Sequence, residues 1–139
     1  MRKDGLDFEI SFCEGIIQKN PEFTEALFLL GDLYTKKGLY AKGLEIDKRL
    51  LKLRPFDPVV YYNLACDYSI LKKTGPSFEA LKKALELGFR DFRLIEKDPH
   101  LEFLRKDRRF DAFILEFKKT IKRKFKSFKK IKSKNISSF

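Results

Sequence analysis

His100, Cys13 and Cys66 are the side chains best suited to proton-transfer, nucleophilic or metal chemistry in this chain of 139 residues. His100 is the only histidine and follows Asp98 and Pro99 directly. No serine, cysteine or paired carboxylate stands at a recognisable spacing from it, so a nucleophile with its base cannot be assembled from the sequence. A lone histidine beside an Asp-Pro turn reads as a surface residue. Two cysteines are too few for a disulfide framework, and a structural zinc site of the usual kind needs four clustered ligands. Cys13 reads as a core residue and Cys66 as a helix-face residue, with no metal at either. Gly-rich phosphate loops are absent. These residues point to no catalysis and no cofactor.

The other concentration of chemistry is positive charge. The formal net charge is +11, and residues 117–139 hold ten basic side chains and no acidic one. The remaining 116 residues carry 21 basic against 20 acidic side chains, which is close to balance. Lys118, Lys119, Lys122, Arg123, Lys126, Lys129 and Lys130 alternate with Phe and Ile. Such an arm can lie on an anionic membrane surface or follow a phosphate backbone. It can also serve a partner protein or self-association. A third reading makes it a solvated extension, its Lys, Phe, Ile and Asn supplied by an A/T-rich genome. The residues leave these readings open.

Positioning any such groups requires a folded frame, and the chain has one domain's length. Hydrophobic residues make up 43% and charged residues 37%, enough for a core under a solvated surface. The longest apolar run, Ala26 to Leu30, is far too short to cross a bilayer. The start, Met1 to Gly5, leads straight into an amphipathic pattern rather than an apolar signal segment, so a cytoplasmic protein is expected.

The frame itself is written twice. Aligning residues 24–57 with 58–91 puts Leu27 on Tyr61, Leu30 on Leu64, Gly31 on Ala65, Tyr34 on Tyr68 and Leu51 on Leu85. A fixed period of this length marks stacked helical repeats. Within the first copy, Leu27, Leu30 and Tyr34 recur at spacings of three and four, which predicts a helix over 24–37 stopped by Gly38. Leu44, Leu50 and Leu51 predict a second helix over 40–53, ended by Pro55. Small residues at Gly31 and Ala65 allow two helices to approach closely. Asp47 breaks the apolar column shared with Cys13 and Leu81, and a buried carboxylate there must be solvated or bonded.

The Leu30-Gly31-x-x-Tyr34 pattern followed by Pro55, echoed by Leu64, Ala65 and Tyr68, resembles the tetratricopeptide repeat over residues 6–91. Leu27 and Tyr61 stand where that family usually has tryptophan. The resemblance implies an all-α fold of antiparallel helix hairpins stacked in a right-handed superhelix. It divides residues 1–117 into a half repeat (6–23), two repeats (24–57 and 58–91) and a terminating unit (92–117), followed by the basic tail (118–139). The stretch from Lys97 to Phe110 resembles the terminating unit of many bacterial proteins of this family, with Leu101, Leu104 and Phe110 covering apolar edges.

The resemblance also implies a concave face lined by the first helix of each pair. Phe28, Asp32 and Thr35, then Tyr62, Cys66 and Ser69, lie off the core stripe there, with Asn63 beside them. These seven are the expected groove for a peptide or partner protein, with Tyr62 and Asn63 offering hydrogen bonds to an extended backbone. The carboxylate-gripping variant of such grooves is not expected, because Phe28 and Asp32 replace the basic and amide groups it needs.

Two further elements follow from the pattern. Residues 6–19 carry two apolar stripes, and Phe8 and Phe12 are expected to form a sticky edge for a homodimer or partner. Asp98 and Pro99 suit an N-cap and first helical residue. A long helix is expected from Asp107 to about Lys132, its arc of Phe110, Phe113, Ile114, Phe117, Ile121, Phe125, Phe128 and Ile131 set against the lysines. Its first half is expected to pack on the repeats. The whole is expected to act as a non-catalytic interaction scaffold. The alternative is an adaptor binding nucleic acid or an anionic membrane through the tail.

Overall fold

The computed structural model describes residues 5–137, with side chains to Asn135. No strand occurs among the described residues, and they fall into two compact units, one up to Leu104 and one from Arg105.

The first unit is a row of helices: α1 (Gly5–Lys19), α2 (Thr24–Lys37), α3 (Tyr40–Leu53), α4 (Pro58–Ile70), α5 (Thr74–Glu86) and α6 (Phe92–Lys97). A 3-10 turn (Pro99–Leu101) and the short α7 (Glu102–Arg105) close it. Each helix from α1 to α5 packs on its sequence neighbours, and the 3-10 turn packs on α4. This is a helical-repeat solenoid, as the period of 34 predicts. Helices α2 and α3 have the boundaries that the periodicity predicts.

Local chemistry explains those boundaries. Gly38 takes φ +84°, and the N–H groups after α2 bond back to Thr35 and Tyr34 carbonyls, which satisfies the open end of the helix. One repeat later Lys72 occupies the same turn at φ 61°, the only non-glycine described with positive φ. Asp57 Oδ1 accepts from Val59 N at 2.9 Å, and Pro58 opens α4. Asp91 and Asp98 cap α6 and the 3-10 turn in the same manner, accepting from Leu94 N and His100 N at 3.0 Å each.

The core follows the expected stripes. Leu27, Leu30 and Tyr34 of α2, Leu44 and Leu50 of α3, and Leu81, Ala84 and Leu85 of α5 are buried; Leu51 is half-buried. Helix α4 buries Val60, Tyr62, Leu64, Ala65, Cys66, Asp67 and Ser69, because α3, α5 and the 3-10 turn pack against it. A β-carbon on Gly31 would stand 3.1 Å from Asp47 Oδ1, so the small residue is required by the approach of α3 to α2. At the matching place in the next repeat, Ser77 Oγ donates to Ala65 O at 2.7 Å. Ile95, Leu101 and Leu104 are fully buried and close the first unit.

At the other end, α1 buries Ile10, Cys13 and Ile17 and is tied to α2 by an ion pair of 2.8 Å between Asp7 and Lys37. Phe8 and Phe12 remain 72% and 61% exposed, which makes an apolar edge on this surface.

In the second unit, α8 runs from Phe110 to Ser137. It begins three residues later than the periodicity suggests. Asp107 Oδ1 accepts from Arg109 N at 2.9 Å, and Phe110 N reaches Asp107 O, so residues 107–109 form a capping turn rather than helix. The Arg109 guanidinium against Asp107 also holds that carboxyl down at about 2. The helix continues without a break through residue 118, as the long helix expected to about Lys132 does, and runs a little beyond it. Phe110 and Ile114 are buried, whereas every side chain from Lys122 to Asn135 is exposed. Among the described residues, no helix is long and apolar enough to cross a membrane.

Candidate ligand-binding groove

Helices α2 and α4 are the first members of consecutive hairpins, and their off-core faces meet at one cavity of about 230 Å³. Phe28, Asp32, Thr35, Tyr62, Asn63 and Cys66 all line it, so six of the seven residues singled out by spacing are brought together. Ser69 is not among them. It is fully buried, and its Oγ accepts from Leu104 N at 3.1 Å. The seven-residue advance from Tyr62 carries Ser69 under the terminating unit, which covers that end of α4.

Tyr62 also differs from expectation. Its ring stacks on Phe89 at 4.3 Å and 6°, and its hydroxyl donates to Asp98 Oδ2 at 2.6 Å. The hydroxyl hydrogen is therefore committed within the protein rather than offered to a peptide backbone. Burial, together with Cys66 and Asp98, keeps the phenol protonated well above its ordinary range. Cys66 Sγ lies 3.8 Å from the same Asp98 oxygen, and burial likewise pushes its thiol up, so it is no ready nucleophile. Asn63 is half-exposed, as are Phe28 and Thr35. Thr35 Oγ1 turns back to Gly31 O at 3.1 Å. The Arg54 guanidinium stands 5.8 Å over the Phe28 ring, and Asp32 pairs with Lys36 at 2.9 Å.

Five lining residues escaped the spacing argument: Gly31, Asp47, Asp67, Asp98 and His100. Gly31 and Gly43 explain the first carboxyl. Neither carries a side chain, so α2 and α3 come close enough for Asp47 to reach the floor of the cavity. There it meets Asp67 of α4, and the two carboxyls hydrogen-bond one another. Both are buried, at 5% and 3% exposure. Two adjacent buried carboxyls cannot both ionise cheaply, so burial first, then the hydrogen bond and charge of Asp47, push Asp67 far above the carboxylate range. Asp47 is raised too, mainly by burial, with the bond from Asp67 pulling the other way. Asp67 thus keeps its proton at neutral pH, set against the Asp47 carboxyl.

The break in the apolar column at Asp47 was the one signal in the sequence; its partner lies 20 residues away on another helix and had none. Asp98 was legible only as a cap. Here it also anchors Tyr62 and faces His100 Nδ1 at 3.4 Å. Asp32, Asp47, Asp67 and Asp98 thus stand on its walls together with the Phe28 and Tyr62 rings. Among the described residues, no group of three or more His, Cys, Asp or Glu side chains is arranged to hold a metal ion.

Residues 24–57 match the tetratricopeptide repeat family. The chain is also similar to a chloroplastic protein of Arabidopsis thaliana, with 38% identity over 87 residues. That match covers 60% of this chain and 26% of the relative, so the chain spans about a quarter of the relative's length. Repeats of this family serve as scaffolds for protein–protein interaction. The family match falls on α2 and α3, and a hairpin of the same kind follows in α4 and α5, so the chain carries a tetratricopeptide repeat at residues 24–57 within a row of similar hairpins.

Proposed function

We propose that this protein is a non-catalytic adaptor that binds a segment of a partner protein in the groove between α2 and α4. The observation that carries the reading is the convergence of six off-core residues from two successive hairpins on one cavity. Phe28 and Asn63 are the residues assigned to contact an extended segment, because both are half-exposed there. Tyr62 and Cys66 form the wall behind them. We place the protein in the cytoplasm as part of this reading.

The test is affinity capture with the full chain and with the Phe28→Ala, Asn63→Ala double variant. Loss of a bound protein, with an unchanged thermal melt, supports the groove. Retention of every bound protein would remove it.

A second reading has its own support in α8. Lys122, Arg123, Lys126, Lys129 and Lys130 are exposed around Phe125, Phe128 and Ile131, which are also exposed. That face suits an anionic polymer or lipid surface. The exposed Phe8 and Phe12 suit a second copy of the chain in turn.

A further inference from the structure

Four carboxyl groups reach the groove from four elements: Asp32 on α2, Asp47 on α3, Asp67 on α4 and Asp98 before the 3-10 turn. Among the described residues, the only basic side chain lining it is His100, and the nearby Lys36 ammonium is occupied by Asp32. Asp98 is committed to Tyr62 Oη and His100 N. Asp67 is different. It is only 3% exposed, and its Oδ2 is the buried side-chain polar atom without a hydrogen-bond partner among the described residues. An oxygen withdrawn from water and left without a donor is costly, and native structures rarely keep one without a use.

We propose that the groove takes the ammonium group of a lysine side chain from a partner polypeptide, with Asp67 Oδ2 as its buried acceptor and Asp47 supplying the charge. This deepens the groove reading above and rests on it. An ammonium brings three donors and no acceptor, which suits walls rich in oxygen acceptors. A water occupies about 30 Å³ of liquid, so 230 Å³ admits a four-carbon stem, its head and some water. The Phe28 ring gives the methylenes an apolar wall, the usual arrangement for a long cationic side chain. A compact ammonium fits a single orphan oxygen better than the planar fork of a guanidinium, which favours paired acceptors.

The proton that Asp67 holds against Asp47 gives this binding a signature. When the ammonium enters, its positive charge beside Asp67 favours the ionised carboxyl, and the proton held by Asp67 leaves to the buffer. Asp47 from α3 faces that proton, and Asp32 from α2, Tyr62 and Cys66 from α4, and Asp98 and His100 from the turn line the same cavity. Binding therefore releases up to one proton and tightens as pH rises from 6 to 8.

The probes are the doubly blocked peptide Ala-Ala-Lys-Ala-Ala and its norleucine counterpart, titrated into the full chain by calorimetry in two buffers of different ionisation heat. The lysine peptide should bind at least tenfold more tightly, release close to one proton per site, and lose its advantage in Asp67→Asn. Equal binding of the two peptides, or binding without proton release, would overturn the proposal even if Asp67→Asn failed to fold. No binding of the lysine peptide at millimolar concentration would overturn it too. If a captured partner is still lost in the Phe28→Ala, Asn63→Ala variant, the groove reading survives that failure; if none is lost, both fall. Sedimentation separates the two sources of the lysine. Oligomers dissolved by the peptide identify a second copy's α8, and a monomer that binds the peptide identifies another protein.

Discussion

Tyr62 Oη lies 2.6 Å from Asp98 Oδ2, joining the middle of α4 to a turn 36 residues further on. The same aspartate caps the 3-10 turn through His100 N. One carboxylate thus orders both the back wall of the groove and the start of the closing segment. Tyr62→Phe keeps the ring stack on Phe89 and removes only this donor. The expected loss is about 1–3 kcal/mol of stability, read as a lower urea midpoint at unchanged slope. An unaltered midpoint would show that the hydroxyl is not needed to hold the turn.

Ser69 ties the closing segment down a second time, accepting from Leu104 N at 3.1 Å in a fully buried setting. Ser69→Ala leaves that N–H without its acceptor, at a cost of about 1–3 kcal/mol. Hydrogen exchange should show the Leu104 amide losing protection before those of α2 and α3. Uniform loss across the first unit would contradict a local tether.

Lys72 sits at φ 61°, where the preceding repeat uses Gly38 at φ +84°. A side chain in that region costs roughly 1–2 kcal/mol relative to glycine, offset in part by the greater freedom of glycine when unfolded. Lys72→Gly is expected to raise stability by about 0.5–1 kcal/mol, whereas Gly38→Lys should lower it. Thermal melts of the two variants in parallel check the sign.

The carboxyl pair makes stability fall with pH. Asp67 holds its proton in the folded state up to about 10, while in the unfolded chain it ionises near 3.8. Between those values the folded state binds the extra proton, so stability is greatest below the lower one and is lost as pH rises towards the upper. The slope is at most about 1.4 kcal/mol per pH unit. Asp67→Asn carries no such proton and should flatten the dependence between pH 5 and 9, as urea unfolding at several pH values would reveal. A wild-type chain more stable at pH 9 than at pH 5 would exclude a proton kept on Asp67.

The exposed lysines of α8 make a separate forecast. If the helix meets anionic surfaces, the Lys126→Glu, Lys129→Glu, Lys130→Glu variant should lose binding to phosphatidylserine vesicles or single-stranded RNA at low salt. The wild-type affinity should fall steeply between 50 and 200 mM salt. Binding that is indifferent to salt and to charge reversal would assign the helix to another role.

Much of this architecture was legible before any coordinates. Leucines at spacings of three and four, Gly38 and Pro55 as stops, and the repeat of 34 place α2 and α3 to the residue, because each signal acts within one or two turns. The start of α8 was less legible. Asp107 was read as the first helical residue, yet its side chain caps a turn instead, a choice between two local hydrogen bonds that composition does not decide.

The sequence alone determined the repeat, the helices and the set of off-core faces, since these depend on periodicity along single elements. Tertiary structure decided what the groove is made of. Asp47 and Asp67 lie on different helices, and nothing in their spacing says that their carboxyls will hydrogen-bond. Only the close approach of α2 and α3 at Gly31 and Gly43 sets one against the other. The same three-dimensional packing drew Ser69 into the core and brought Asp98 and His100 to the cavity. Chemistry that arises between elements depends on their rotation and separation, which a single helix's pattern does not encode.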